Sequence, residues 1–443
     1  MENLPENGHR KNSIVFNNAK WIIVCKIIQS VLQLIVGVLC ARYMGPSNYG
    51  LINYAKSLVA FVLPLMQLGL DATLVQELVD APEREGEIMG TALLMNLFSG
   101  LGCMFLVIGF VKVANPGETV TLIVCSLYSL SLIFQALEQI KFWFYGKLKA
   151  KYPSIMMVVS YIAVFAYRIY LLATAKSVYW FALVSVLEYG VISVGLLIFY
   201  QRVSTQKLRI TLKTVRALFS KSKYYIIASL MFMGLKNIDH IMLKLMVGEA
   251  ENGVYTAAIT SGCFLQFVFY AIIDSMRPVI LAHKKENAEL YETGVSRLYC
   301  VLVYLALAQS VAFAIFARPI VMILFGADYS GAIPVLRILI WYLALAYIAE
   351  VRNIWILAEN KHNRLWKINL CGLLANVALN AFMIPKFGAC GAAISSVITQ
   401  FFANVVVGFL MKDIRHNNSL MLEGLRWRTV KAVFREVKES LRA

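Results

Sequence analysis

Charged side chains stand inside stretches that are otherwise apolar, and they recur at helical spacing. Lys26 shares a face with Gln29, Gln33 and Gly37. Lys56 falls in a second stripe, Asn53, Lys56, Ala60, Pro64, Gln67 and Asp71, at three- and four-residue steps. Met233, Lys236, His240 and Lys244 make a third, with Asp239 beside it. A fourth runs through Thr256, Thr260, Cys263, Phe267, Tyr270, Asp274 and Arg277, while Arg168 and Glu188 stand in two further apolar runs. A charge deep in a bilayer is costly, so by default it marks the path of a ligand or an ion. Lysine and arginine neutralise phosphate, which makes Lys26, Lys56, Arg168, Lys236 and Arg277 candidates for holding an amphiphilic anion. Glu188, Asp239 and His240 can take a proton or a cation and are the candidates for a coupling ion. Each has a structural alternative. Lys26 and Lys56 lie close enough to an interface to snorkel, Arg277 can meet headgroups, and Lys236 can pair with Asp239 or His240 along one helix. Asn369, Asn376, Asn380, Gln400 and Asn404 read as bonds between helices.

The elements that carry these residues follow from composition. With 60% hydrophobic and 15% charged residues, the chain has too little charge to cover a soluble surface of this size. The apolar residues come in runs of about 20 or more, long enough to cross a bilayer as helix. Strands of alternating polarity are not seen, and helices satisfy their own backbone groups in lipid. The pattern predicts spans at 14–41, 49–70, 88–114, 120–141, 153–174, 178–200, 223–247, 254–282, 297–318, 333–358, 366–386 and 389–411. At the odd-numbered connections only Arg42, Lys112, Lys176, Arg318 and Lys386 carry positive charge. Most of the 42 lysines and arginines lie in the N-terminal segment, the even-numbered connections and the tail. That asymmetry puts both termini in the cytoplasm, and it accounts for the net charge of +17 without invoking nucleic acid. The eight cysteines show no metal-like pair. The first apolar run is too long for a signal peptide.

The expected fold is therefore an all-α polytopic membrane protein. Twelve transmembrane helices form two six-helix bundles around a central cavity, at 1–200 and 223–411. A cytoplasmic amphipathic linker helix at 201–222 joins them, with Leu208, Leu212, Val215 and Phe219 as its apolar face, and a basic amphipathic tail follows at 412–443. A faint repeat supports two halves: a shift of 203 residues lays Gly45 on Gly248, Gly50 on Gly253 and Asp71 on Asp274. Gly45, Gly50, Gly248 and Gly253 are the expected turn or gating glycines, and Gly326 with Gly331 repeats their spacing. Under this alignment the four polar stripes fall on repeat-related helices.

No Walker motif, H-E-x-x-H, G-x-S-x-G or EF-hand loop is present. No catalytic residue or cofactor is expected, and transport would draw on H+ or Na+ coupling, the membrane potential or the substrate gradient.

Several segments resemble the polysaccharide repeat-unit flippases of the multidrug/oligosaccharidyl-lipid/polysaccharide exporter superfamily. They are Ala41–Arg42–Tyr43–Met44–Gly45–Pro46 with Tyr49–Gly50–Leu51; Gly69–Leu70–Asp71 with Val75–Gln76–Glu77–Leu78; Asn237 to Leu243 with Gly253–Val254–Tyr255; and Pro385–Lys386–Phe387–Gly388 with Gly391–Ala392–Ala393. The resemblance implies a flippase of the bacterial inner membrane for an undecaprenyl-diphosphate-linked oligosaccharide. It also implies contact with membrane lipids and a polysaccharide polymerase complex as a partner, with the chain itself a monomer. Related lipid II flippases place basic residues from helices one, two and eight in a central cavity; Lys26, Lys56 and Arg277 lie on those helices here, two of them lysine where arginine is typical. Those relatives have fourteen helices, and this chain has room for twelve. A drug/cation antiporter of the same superfamily is one alternative. A membrane polymerase or ligase acting on lipid-linked sugars is another, disfavoured by the short outer connections.

Overall fold

A computed structural model describes residues 6–440, with side chains from Ile35 onward except His362, Phe434 and 436–440. The fold is helical. Among the described residues, 10 stretches are long and apolar enough to cross a membrane, so the chain is a multi-pass membrane protein. It forms two compact units, one of residues Met1–Met44 and Leu51–Met233, the other of Gly45–Gly50 and Gly234–Ala443.

The first unit begins with α1 (Glu6–Gln67), which breaks at Gly45. Lys26 lies among the residues of this helix whose side chains are outside the described set. Short α2 (Leu74–Asp80) leads to α3 (Glu85–Ala114). Next, α4 (Thr119–Ser129), α5 (Ser131–Glu138) and α6 (Lys141–Gly146) follow one another almost without a gap. Then come α7 (Lys151–Ala173), α8 (Val178–Ala182) and α9 (Val184–Val203). Leu70, Leu74, Met89, Trp143, Phe144, Leu196 and Leu218 share one buried cluster. Val36, Cys40, Val164, Leu171, Phe181 and Val184 share another. Such interdigitated side chains hold helices together where the hydrophobic effect between them is weak.

The expected linker helix at 201–222 is not formed as such. Residues 204–211 are not helical, and α10 starts at Leu212 and runs unbroken to Val247. The cause is local hydrogen bonding. Arg209 N donates to Gly86 O at 3.0 Å, Gln206 Oε1 accepts from Gly86 N at 3.0 Å, and Gln206 Nε2 donates to Pro82 O at 3.0 Å. Thr211 and Thr214 both donate to Glu87. The start of α3 thus takes its partners from this segment, satisfying groups that a helix N-terminus leaves open. The buried face is Thr214, Leu218 and Ser222, whereas Leu212 and Phe219, placed by periodicity on the apolar face, are exposed. The segment belongs to the first unit, and the division falls at 233/234 rather than in the linker.

In the second unit, α11 (Glu249–Gly262) passes through a tight turn into α12 (Gln266–Glu286). Asn287 caps α13 (Ala288–Ile315), accepting from Glu289 N at 2.8 Å. Then come α14 (Ala317–Leu324), α15 (Ala332–Ala358) and α16 (Leu365–Phe401), the last broken at Gly388. A π-helical turn, Phe402–Val406, separates α16 from α17 (Val407–Leu410). It faces buried Arg352, which donates to Ala403 O at 3.4 Å and to Asn404 Oδ1 at 2.6 Å. The widened turn frees acceptors for a guanidinium that lipid cannot solvate. The tail is not one amphipathic helix. Its first part, α18 (Arg415–Gly424), packs on α13 through Tyr299–Asn417 at 2.9 Å and Ser296–Leu420 at 3.1 Å, and α19 (Trp427–Ser440) follows.

The glycine pairs divide their labour. The first of each pair, Gly45 (φ 68, ψ 172), Gly248 (φ 105, ψ 174) and Gly326 (φ 89, ψ −175), holds a conformation open essentially to glycine alone. The second allows close approach. A Cβ on Gly50 would lie 1.8 Å from Glu249 O, and one on Gly253 would lie 1.9 Å from Pro46 O. Pro46 and Glu249 correspond under the 203-residue shift, as do Gly50 and Gly253. The two turns therefore touch reciprocally, as two copies of one surface do in an isologous contact.

Candidate functional site

In the first unit, three of the charged residues singled out by sequence meet. Lys56 on α1, Arg168 on α7 and Glu188 on α9 lie within electrostatic reach of one another. Lys56 is exposed, while Arg168 and Glu188 are half-buried. Tyr128 on α4 is near both Arg168 and Glu188, and Cys40 on α1 is near Arg168. Among the described residues no direct ion pair closes any two of the three. The group carries two positive charges and one negative on membrane-spanning helices, an excess that favours an anion. Glu138 on α5 is nearby but is committed to Lys141 at 2.9 Å.

The second unit holds a buried polar network centred on Asp239 of α10. Asn380 Nδ2 of α16 donates to Oδ1 at 2.7 Å. Tyr255 Oη of α11 donates to Oδ2 at 2.8 Å, and Ser396 Oγ of α16 donates to the same oxygen. Asn380 also donates to Asn376 Oδ1 at 3.0 Å, and its own Oδ1 is buried without a partner. Only 5% of Asp239 is exposed, so three donors do what water would do for this carboxylate. The next residue, His240, donates from Nδ1 to Asn252 Oδ1 at 2.7 Å, and Asn252 Nδ2 donates to Gly50 O at 2.7 Å. The histidine thus links the close-packed turn to the Asp239 site, since its ring also packs edge-on against Tyr255 at 5.2 Å.

The remaining predicted cations lie elsewhere. Lys236 is exposed one turn before His240, with Cys263 in its field. Lys244, buried, pairs with Glu249 at 3.0 Å. Arg277 is exposed and pairs with Asp274 at 3.8 Å on its own helix. Tyr255, Asn380, Asn376 and Ser396 complete the Asp239 site. The two asparagines, four residues apart, were visible as a polar pair in an apolar run. Ser396, a small neutral residue, gave no signal. Among the described residues no group of three or more His, Cys, Asp or Glu side chains comes together to hold a metal ion.

A sequence profile described as "Polysaccharide biosynthesis protein" matches residues 15–284, more than half of the chain. The chain belongs to that family. The flippase-like segments at 41–51, 69–78 and 237–255 all fall inside the matched region. The capsular polysaccharide biosynthesis protein CapF of Staphylococcus aureus is 20% identical over 416 residues, covering 90% of this chain and 99% of that one. A probable low-salt glycan biosynthesis flippase, Agl15 of Haloferax volcanii, is 22% identical over 207 residues, covering 46% of this chain and 44% of its own. Among solved structures, an inward-facing multidrug resistance MATE transporter of the MOP superfamily matches with a TM-score of 0.69 at 16% identity, covering 90% of this chain and 96% of its own. The lipid II flippase MurJ in an inward closed conformation gives 0.69 at 16%, covering 93% and 91%. The chain therefore shares the helical fold of these MOP-superfamily structures.

Proposed function

We propose that this family member translocates an undecaprenyl-diphosphate-linked oligosaccharide repeat unit from the cytoplasmic to the outer leaflet of the bacterial inner membrane, by alternating access. The observation that carries this reading is the Lys56–Arg168–Glu188 group: exposed positive charge on membrane-spanning helices, in a chain of the polysaccharide biosynthesis family. A diphosphate between sugar and prenyl chain is the part of such a molecule that most resists the bilayer, and cations neutralise it. Lys56 and Arg168 make the first contacts, and Lys26, Lys236 and Arg277 are further candidates for binding the anion. In this reading the chain crosses the membrane twelve times, the helices broken at Gly45 and Gly388 each counting twice, and the charge asymmetry favours cytoplasmic termini. The protein acts as a monomer beside a polysaccharide polymerase complex, and its helices move substrate without covalent chemistry.

Asp239 is the residue proposed to couple transport to an ion gradient. One carboxylate among neutral oxygens, with the unpartnered Asn380 Oδ1 beside it, suits a proton or a monovalent cation such as Na+. Glu188 and His240 are secondary candidates. In liposomes, flipping of lipid-linked oligosaccharide should need an imposed Na+ or pH gradient or a membrane potential. K56A and R168A proteins, inserted and folded as wild type, should flip little. Full flipping by both variants, or uptake of cationic dyes with no movement of lipid-linked sugar, would sink the proposal; the latter outcome would favour a drug/cation antiporter.

A further inference from the structure

A groove of about 340 Å³ opens on the second unit where α13, α15 and α16 meet, within the range of roughly 300–1,000 Å³ typical of ligand sites. Its walls are apolar: Val303 and Leu307 of α13, Trp341, Leu345 and Ile348 of α15, and Val397 of α16. All three helices belong to membrane-spanning stretches. Hydrocarbon is therefore the natural occupant, since water gains nothing from such walls.

The pairing of α13 with α15 decides what lies at the end of the groove. Ser310 Oγ donates to Ile340 O at 3.4 Å, and Arg337 Nε donates to Ala314 O at 3.3 Å. Residue numbers rise along one helix as they fall along the other, so the two run antiparallel. Arg337 then sits one turn beyond Trp341, on the same face. It is exposed and lies about 8 Å along the helix from Ala332, near enough to the helix end for a long basic side chain to reach the interface. The bond from Nε fixes the guanidinium. Among the described residues its two terminal nitrogens have no hydrogen-bond partner and no carboxylate pairs with it. A fixed guanidinium with both terminal nitrogens open is shaped for two phosphate oxygens.

We propose that this groove binds an anionic phospholipid, its phosphate on Arg337 and one acyl chain along Val303, Leu307 and Leu345. A zwitterionic lipid brings its own cation to the mouth and gains less from an uncompensated arginine. The assignment rests on the chain's spanning the membrane, not on the identity of its transported substrate.

The test uses the purified full chain, delipidated in detergent. Phosphatidylglycerol and phosphatidylcholine with identical acyl chains are added, and thermal stability and lipid retention by native mass spectrometry are read. Phosphatidylglycerol should raise the Tm by several degrees more than phosphatidylcholine does, and one molecule should stay bound. R337Q should abolish that preference while keeping the weak phosphatidylcholine response. L307W, at an exposed position, should fill the groove and remove both responses, with helical content and monodispersity unchanged. Equal responses of the wild-type protein to the two lipids, or an R337Q protein that keeps the preference, would overturn the assignment. So would an L307W protein that binds as wild type.

Discussion

Asp239 keeps a carboxylate out of water by surrounding it with three donors, one from α11 and one from each side of the break in α16. Truncation to alanine strands those donors, and each costs roughly 1–3 kcal/mol when left buried without a partner. D239A should therefore lower the Tm more than D239N, which keeps an acceptor oxygen and almost the same volume. D239N should also separate folding from coupling. Its Tm should stay close to that of the wild type while ion-driven flipping falls to background, as read in liposomes with an imposed gradient. Coupled transport by D239N at the wild-type rate would remove Asp239 from the ion path. The sequence made Asp239 and Lys56 legible because charge in an apolar run cannot be cheap. It could not show that Lys56 meets Arg168 and Glu188, because nothing in the periodicity of three separate helices fixes how they turn toward one another. Arg277 looked equivalent to Lys56 in sequence, yet its partner is Asp274 on its own helix.

Helices were read from apolar runs with fair success, and turns from glycine. The pairs Gly45/Gly50 and Gly248/Gly253 were legible as glycine-marked turns, and backbone sterics leave few other residues for the conformations of Gly45 and Gly248. Their separate roles were not, since close approach depends on a neighbour far along the chain. The linker was misjudged for a related reason. Leu208, Leu212 and Phe219 have helical spacing, but the open donors and acceptors at the start of α3 take up residues 206–214 first. The glycine roles predict an ordering of variants. G50A and G253A each place a methyl group under 2 Å from a backbone oxygen and should cost about 3 kcal/mol, the upper end of overpacking penalties. G331A meets only Val254 side-chain atoms at 3.5 Å and should leave the Tm within a degree or two of wild type. Thermal unfolding of the three proteins in detergent checks the order, and equal losses would refute it.

At the scale of the whole molecule, sidedness remains the reading of the charge pattern, and reporter fusions test it. Alkaline phosphatase joined after Gly117 or Lys176 should be active, and joined after Arg84 or Lys149 it should be silent. A fluorescent protein at the C-terminus should glow. The reverse pattern would invert the proposed orientation and with it the direction of flipping. One feature of the chain's path bears on how this family diversifies. Residues 45–50 belong with 234–443, while the residues on either side of them belong with the first unit. The smallest block that recombination could exchange intact is thus discontinuous. A crossover near 233 between two family members would bring in a new second half still clasped to an old hexapeptide, and the tight fit at Gly50 and Gly253 would select for turns that are inherited together.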